Sequence, residues 1–308
     1  MDVSRFGLRQ RPFPASPDTA CYYPATSHEQ ALTRLLRGLA DGEGVLVLTG
    51  PPGTGKTLLC HRLLERLGNN ARSAFLTNSH FRDRVGFLQA ILYDLQLPYA
   101  GKSEQEMRLA LTDHLLEGFG AGKSTVLIVD EAHHLTPDLL EELRLLGNLE
   151  ARSGKALQVV LVGQASLLTT LRQPELAPLR QRVVVRPELT RLNVDEAADY
   201  LLHHVRVAGG QPEAVLHEEA VEVLARKTHG VPRVLNQAAH QALCLAEEAG
   251  ATQVDAEAAL EALAVLGLDN AAESEDEESS AEAPAEDEEA GHPPSRVFPD
   301  VRKASLPA

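Results

Sequence analysis

The chain has 308 residues, enough to bury one large hydrophobic core and a smaller second one, so two folded domains are expected. Its 44% hydrophobic content is that of an ordinary water-soluble protein, and no apolar stretch approaches the ~20 residues of a membrane-spanning helix, which excludes a membrane-embedded protein. The formal net charge of −15 argues against a general nucleic-acid-binding surface, although residues 270–290 alone carry ten acidic side chains and no Lys or Arg, leaving −7 for residues 1–269.

From the N-terminus, Met1-Asp2-Val3-Ser4-Arg5 lacks the apolar core of a signal peptide, which predicts a cytoplasmic protein. Cys21, Cys60 and Cys244 are far apart and unpatterned, so they read as small core residues in a reducing compartment rather than as disulfide partners or metal ligands. The first chemistry lies further on. An apolar run, Val45-Leu46-Val47-Leu48, leads into Gly50-Pro51-Pro52-Gly53-Thr54-Gly55-Lys56-Thr57, and Leu58, Leu59, Leu63, Leu64 and Leu67 follow at helical spacing. A glycine-rich loop between a strand and a helix binds phosphate. Gly53 and Gly55 let the backbone approach phosphate oxygens, and the amides at the start of the helix point at the anion. Lys56 reaches the β and γ phosphates, and Thr57 holds Mg²⁺. The predicted cofactors are therefore ATP and Mg²⁺, with residues Gly50 through Leu58 as the binding segment.

Four further apolar runs follow: Ala74-Phe75-Leu76, Val126-Leu127-Ile128-Val129, Val159-Val160-Leu161-Val162 and Val183-Val184-Val185. Continuous rather than alternating apolarity suits a parallel sheet covered on both faces. Amphipathic stretches near 83–95, 104–118 and 138–151 are long enough for crossover helices, so the fold class is α/β. Asp130 and Glu131 stand at the C-terminal end of the third strand, where open α/β sheets bind ligands. Asp130 is assigned to the Mg²⁺ shell and Glu131 to polarising the attacking water. The string Asp130-Glu131-Ala132-His133 also occurs in helicases, but such motors need two nucleotide-binding lobes and only one sheet is available here. His133 and His134 are not read as metal ligands, because no spaced cluster accompanies them. Gln164, just after the fourth strand, is a candidate γ-phosphate sensor, with a plain turn residue as the alternative. Arg180 and Arg182, before the fifth strand, supply positive charge.

Beyond Pro187 the pattern is helical only, at about 194–207, 217–228, 232–249 and 255–266, joined by Gly209-Gly210, Gly230 and Gly250. Arg233 is expected in the first turn of the third of these helices. The acidic segment from Glu273 to Glu289 has no aromatic or β-branched side chain to bury and is expected to be disordered. The predicted organisation is an arm at 1–26, an ATPase core at 27–189, a helical lid at 190–268 and an acidic tail at 269–308.

A strand-linked phosphate loop, an Asp-Glu strand end, arginines before the fifth strand and an Arg-bearing helical segment together resemble the AAA+ P-loop ATPases. The opening Phe6-Gly7-Leu8-Arg9-Gln10-Arg11-Pro12-Phe13, then Ser27-His28-Glu29-Gln30-Ala31-Leu32, Leu161-Val162-Gly163-Gln164 and Gly230-Val231-Pro232-Arg233-Val234-Leu235-Asn236 resemble the ExeA/GspA-like (general secretion pathway protein A) branch over residues 5–266. The resemblance implies a five-stranded parallel sheet in the order 5-1-4-3-2 with a C-terminal helical lid. It also implies a homo-oligomer in which Arg182, or Arg180 in its place, acts on a neighbour's nucleotide, with Arg233 as the lid sensor. The expected function is ATP hydrolysis coupled to assembly or remodelling of a protein partner in secretion or the envelope. The alternatives are an ATPase similar to the TniB-type transposition proteins, which work on DNA, and a nucleotide-dependent switch. DNA is the less favoured partner, given the core's negative charge. Phe6, Phe13, Tyr22 and Tyr23 are four of the twelve aromatic residues, and the arm carrying them is expected either near the adenine or simply docked on the core.

Overall fold

The structure, a computed structural model, describes residues 2–68, 71–151 and 154–268. The acidic tail expected to be disordered lies outside the described residues. Five parallel strands form the central sheet: β1 (Val45–Thr49), β2 (Arg72–Leu76), β3 (Thr125–Val129), β4 (Leu157–Gly163) and β5 (Val183–Val185). Their order across the sheet is β2-β3-β4-β1-β5, which is the expected 5-1-4-3-2 order from the other edge. A two-stranded antiparallel pair, Glu150–Ala151 with Gly154–Lys155, was not expected.

Strand alternation divides each apolar run between two layers. Val45, Val47, Leu127, Val129, Val159 and Leu161 face one core with α3 (Arg84–Asp94), α4 (Glu104–Gly120), α5 (Pro137–Leu146), α6 (Ala165–Leu171) and α7 (Ala177–Arg180). Leu46, Leu48, Val126, Ile128, Val160 and Val162 face the other, with α1 (Thr26–Ala40) and α2 (Lys56–Leu67). The helix predicted to run from 138 to 151 ends at Leu146. Gly147 and Asn148 are poor helix formers, and the residues beyond them enter the short antiparallel pair.

The register places the site. Thr49 of β1 pairs with Gly163 of β4, and Val129 of β3 pairs with Leu161 of β4. The phosphate loop after β1, Gln164 after β4 and Asp130 after β3 therefore emerge side by side on one edge, with Gln164 in the middle.

After β5 come α8 (Val194–Val207), α9 (Pro212–Val215), α10 (Glu218–Lys227), α11 (Pro232–Glu248) and α12 (Ala256–Val265). They share a third hydrophobic cluster, in which Ala220, Ala238, Ala239, Ala242, Ala259 and Ala262 let the helices approach closely. The N-terminal arm docks into this cluster through Phe6, Leu8 and Phe13. Its backbone is tied down by the Arg9 amide donating to the Ala208 carbonyl at 2.8 Å and by the Arg5 guanidinium donating to the Gly250 carbonyl at 2.6 Å.

Candidate active site

The phosphate loop turns from β1 into α2 through two left-handed glycines, Gly53 at φ 78° and Gly55 at φ 90°, a conformation costly for any residue with a Cβ. Gly55 caps α2, so the amides of Lys56, Thr57 and Leu58 have no acceptor within the helix and stand ready for an anion. Lys56 Nζ donates to the carbonyls of Gly50 and Pro51, both at 2.9 Å. Thr54 Oγ1 donates to the Pro51 carbonyl at 2.8 Å. Buried His28 on α1 meets the Thr54 carbonyl through Nε2 at 2.8 Å, which braces the loop from behind.

Asp130 is 2% exposed. Its Oδ2 accepts the Thr57 hydroxyl at 2.5 Å and its Oδ1 accepts the Glu131 amide at 2.8 Å. Burial raises its pKa, opposed by those two hydrogen bonds. Burial also lowers the pKa of Lys56, an effect countered by the carboxylates of Glu131 and Asp130 and reinforced by Arg233. These four charged groups therefore feel one another. Thr57 and Asp130 offer adjacent hard oxygen donors, the chemistry that Mg²⁺ selects.

Glu131 sits in the left-handed region at φ 51°, uncommon for a residue with a side chain. Its carboxylate Oε2 lies 3.4 Å from Nδ1 of His133, whose Nε2 lies 3.3 Å from the side-chain nitrogen of Gln164. Burial, and then His134, lower the pKa of His133. Ligand atoms of Glu131, His133 and His134, near neighbours in sequence, come within 4.8 Å of one another, close enough to share an ion. Gln164 engages Nε2 of His133, which ties the group into a polar network.

A cavity of about 490 Å³ opens beside the phosphate loop and Glu131. One wall is the loop from Pro52 to Leu58 together with Glu131; the other is the arm from Phe13 to Asp18, Tyr200 and His204 of α8, and α11 from Pro232 to His240. The Arg233 amide donates to the Gly53 carbonyl at 3.2 Å, so α11 touches the phosphate loop directly. Of the four arm aromatics only Phe13 lines the cavity. Phe6 is buried in the helical cluster, Tyr22 donates to Glu29 at 2.9 Å, and Tyr23 packs edge-on against Tyr200. Docking thus accounts for most of the arm, and proximity to the cavity for Phe13 alone among these aromatics.

Arg180 and Arg182 do not line the cavity. The Arg182 guanidinium donates to the Arg144 carbonyl at 3.2 Å and that of Arg180 to the Arg172 carbonyl at 3.3 Å. His28, Tyr200, His204 and Asn236 were not singled out for the site from the sequence. His28 and Asn236 stand in quoted motifs, but nothing in their spacing shows a role, whereas Tyr200 donates to Asn236 Oδ1 at 2.9 Å only because α8 packs against α11.

His204 gives a pH test. It is 3% exposed, its Nδ1 bonds the Pro12 carbonyl at 2.8 Å, and its ring stacks on Phe13. Burial pushes its pKa down to about 4, with neighbouring His203 adding to the effect and the Pro12 carbonyl opposing it. A depressed folded pKa contributes stability that is present above the ordinary value of 6.5 and lost as pH falls through 6.5 toward 4. Urea unfolding is expected to show a loss of up to about 3 kcal/mol over that window, smaller in His204→Phe. Equal slopes in the two proteins would remove His204 as the cause.

Comparison with known proteins agrees with this architecture. A family model described as an AAA domain matches residues 39–171. General secretion pathway protein A of Aeromonas hydrophila is 40% identical over 251 residues, 81% of this chain and 45% of that protein. The Holliday junction branch migration complex subunit RuvB of Prosthecochloris aestuarii is 25% identical over 240 residues, 73% of this chain and 58% of that one. The chain spans about half the length of these curated relatives. The crystal structure of Cdc6p from Pyrobaculum aerophilum superposes with a TM-score of 0.67 at 22% identity, covering 86% of this chain and 71% of the other. Among the described residues no helix is long and apolar enough to cross a membrane. Phosphate loops occur on many sheets, but a loop tied to a following helical segment, on a chain 40% identical to general secretion pathway protein A over 81% of its length, is far more restrictive: the chain carries an AAA domain of the P-loop ATPase type and is similar to general secretion pathway protein A over most of its own length.

Proposed function

We propose that the chain hydrolyses Mg-ATP in a homo-oligomer and uses the cycle to assemble or remodel a protein complex associated with secretion or the cell envelope. The observation that carries this reading is that Lys56, Thr57, Glu131 and Arg233 line one cavity, with Asp130 bound to Thr57 behind it, while Arg180 and Arg182 stand outside that cavity. In this reading the amides of Gly53 to Leu58 and Lys56 hold the phosphates. Thr57 and Asp130 hold Mg²⁺, which neutralises phosphate charge when bound. Glu131 orients the attacking water and takes its proton. Arg233 reports the nucleotide to the lid.

The transition state needs positive charge beyond Lys56 and Arg233, and Arg182 of a second subunit supplies it, with Arg180 as substitute. ATPase activity per molecule is then expected to rise with protein concentration. Arg182→Ala is expected to retain nucleotide binding and lose about a hundredfold or more in kcat. Normal hydrolysis by that variant, at concentrations where the native protein oligomerises, removes Arg182 from the mechanism. Capture of partners by Glu131→Gln protein trapped with ATP tests the process: a secretion or envelope component supports the reading, and a transposase or DNA replaces it.

A further inference from the structure

We infer that His133 positions Glu131, as the middle member of a chain running from Gln164 at the end of β4 through the imidazole to the carboxylate. The inference rests on the reading above, in which Glu131 orients the water, and gives Gln164 a positioning role beside the expected γ-phosphate sensing.

The geometry begins with the short turn Ala132–His134, which folds the chain back after Glu131 and leaves the His133 side chain 9% exposed beneath it. Gln164 reaches His133 Nε2 with its amide nitrogen at 3.3 Å, and an amide nitrogen can only donate. With the Gln164 amide nitrogen turned to the ring in this way, Nε2 accepts and the imidazole proton is assigned to Nδ1. That proton faces Glu131 Oε2 at 3.4 Å, whereas the opposite tautomer would aim a lone pair at a carboxylate. The 3.4 Å contact is not yet a formed hydrogen bond, and Nδ1 is otherwise buried without a partner. A small rotation of the half-exposed Glu131 side chain closes it.

Two more features hold the ring. A Cβ on Gly163 would stand 3.2 Å from His133 Nδ1 and 3.3 Å from its backbone nitrogen, so the glycine leaves the niche into which His133 fits. On the other side His134 packs on the His133 ring at 4.1 Å, and His80 packs on His134 at 4.1 Å. The pair Gly163-Gln164 thereby gains a physical reason: one residue makes room for the imidazole and the other orients it. Glu131, held in a left-handed turn on a flexible side chain, receives its direction from β4.

The test is steady-state and single-turnover ATP hydrolysis beside equilibrium binding of a fluorescent ATP analogue. His133→Leu is expected to bind the analogue within about twofold of native and to lose about tenfold to a hundredfold in kcat, the scale of a misplaced catalytic group. Gln164→Leu is expected to lose a similar factor, and the double variant no more than the single ones. His133→Gln, whose amide can donate to the carboxylate and accept from Gln164, is expected to recover most of the loss. A kcat within twofold of native for His133→Leu, while Glu131→Gln is inactive, overturns the inference and leaves the proposed reaction standing. So do additive losses in the double variant. Native turnover by Glu131→Gln instead overturns the reaction assignment. If His133→Leu does not fold, Gly163→Ala crowds the same ring; a kcat loss with unchanged binding supports the inference, and native kcat with a folded protein rejects it.

Discussion

Glu131→Gln is expected to bind ATP with native affinity and to hydrolyse it at least about a hundredfold more slowly. Glutamine has the size and shape of glutamate but cannot take a proton, so the change removes charge and basicity while leaving the turn intact. The anchors of that turn are independent of the side chain: the Glu131 amide remains bound to Asp130 Oδ1, and Asp130 remains bound to Thr57. Binding should even be favoured slightly, because a carboxylate on the cavity wall repels triphosphate. Phosphate release in a single turnover, measured beside equilibrium binding, separates the two effects. Undiminished hydrolysis would remove Glu131 from the mechanism, and a parallel loss of binding and turnover would make it a structural residue. The same variant holds the ATP state long enough to capture what the protein acts on.

Gly230→Ala is expected to destabilise the helical segment by about 3 kcal/mol or more and to weaken nucleotide binding with it. Gly230 has φ 65°, and a Cβ there would lie 1.8 Å from the Leu192 carbonyl oxygen, less than any non-bonded contact allows. The clash is with backbone, so no side-chain rotation relieves it. Leu192 is also bound in return, its amide donating to the Gly230 carbonyl at 2.8 Å. Moving this turn moves Val231, Pro232 and Arg233, and the Arg233 amide is the link from α11 to the Gly53 carbonyl. Gly42→Ala is the control: Gly42 has φ 78°, but its Cβ position has nothing within 4 Å, so only the backbone term of about 1 kcal/mol applies. Thermal unfolding of both variants checks the prediction. Equal shifts in melting temperature would show that the Leu192 contact relaxes at little cost.

The helical turn around Gly230 illustrates what can be read before folding. Gly and Pro in Gly230-Val231-Pro232 mark a helix boundary in any sequence, and α11 does start at Pro232. The contact that makes this glycine irreplaceable comes from Leu192, 38 residues earlier in the chain. Gln164 shows the same division. Its place at the end of β4 was legible from the apolar run before it. Its partner was not, because His133 reaches it only once β3 and β4 lie side by side.

The phosphate loop, the Asp130-Glu131 pair, the five strands and the principal helices beyond Pro187 were determined by the sequence alone, because each depends on residues adjacent or periodic along the chain. The helix predicted through residue 151 stopped at Leu146, where weak helix formers met a competing strand pair. Tertiary structure decided what braces and aims those parts: His28 on the Thr54 carbonyl, Arg233 on Gly53, His204 on Pro12, and His133 between Gln164 and Glu131. These contacts join segments distant in sequence, and a hydrogen bond carries no local signature until the sheet order and helix packing bring donor and acceptor within 3 Å or so of each other.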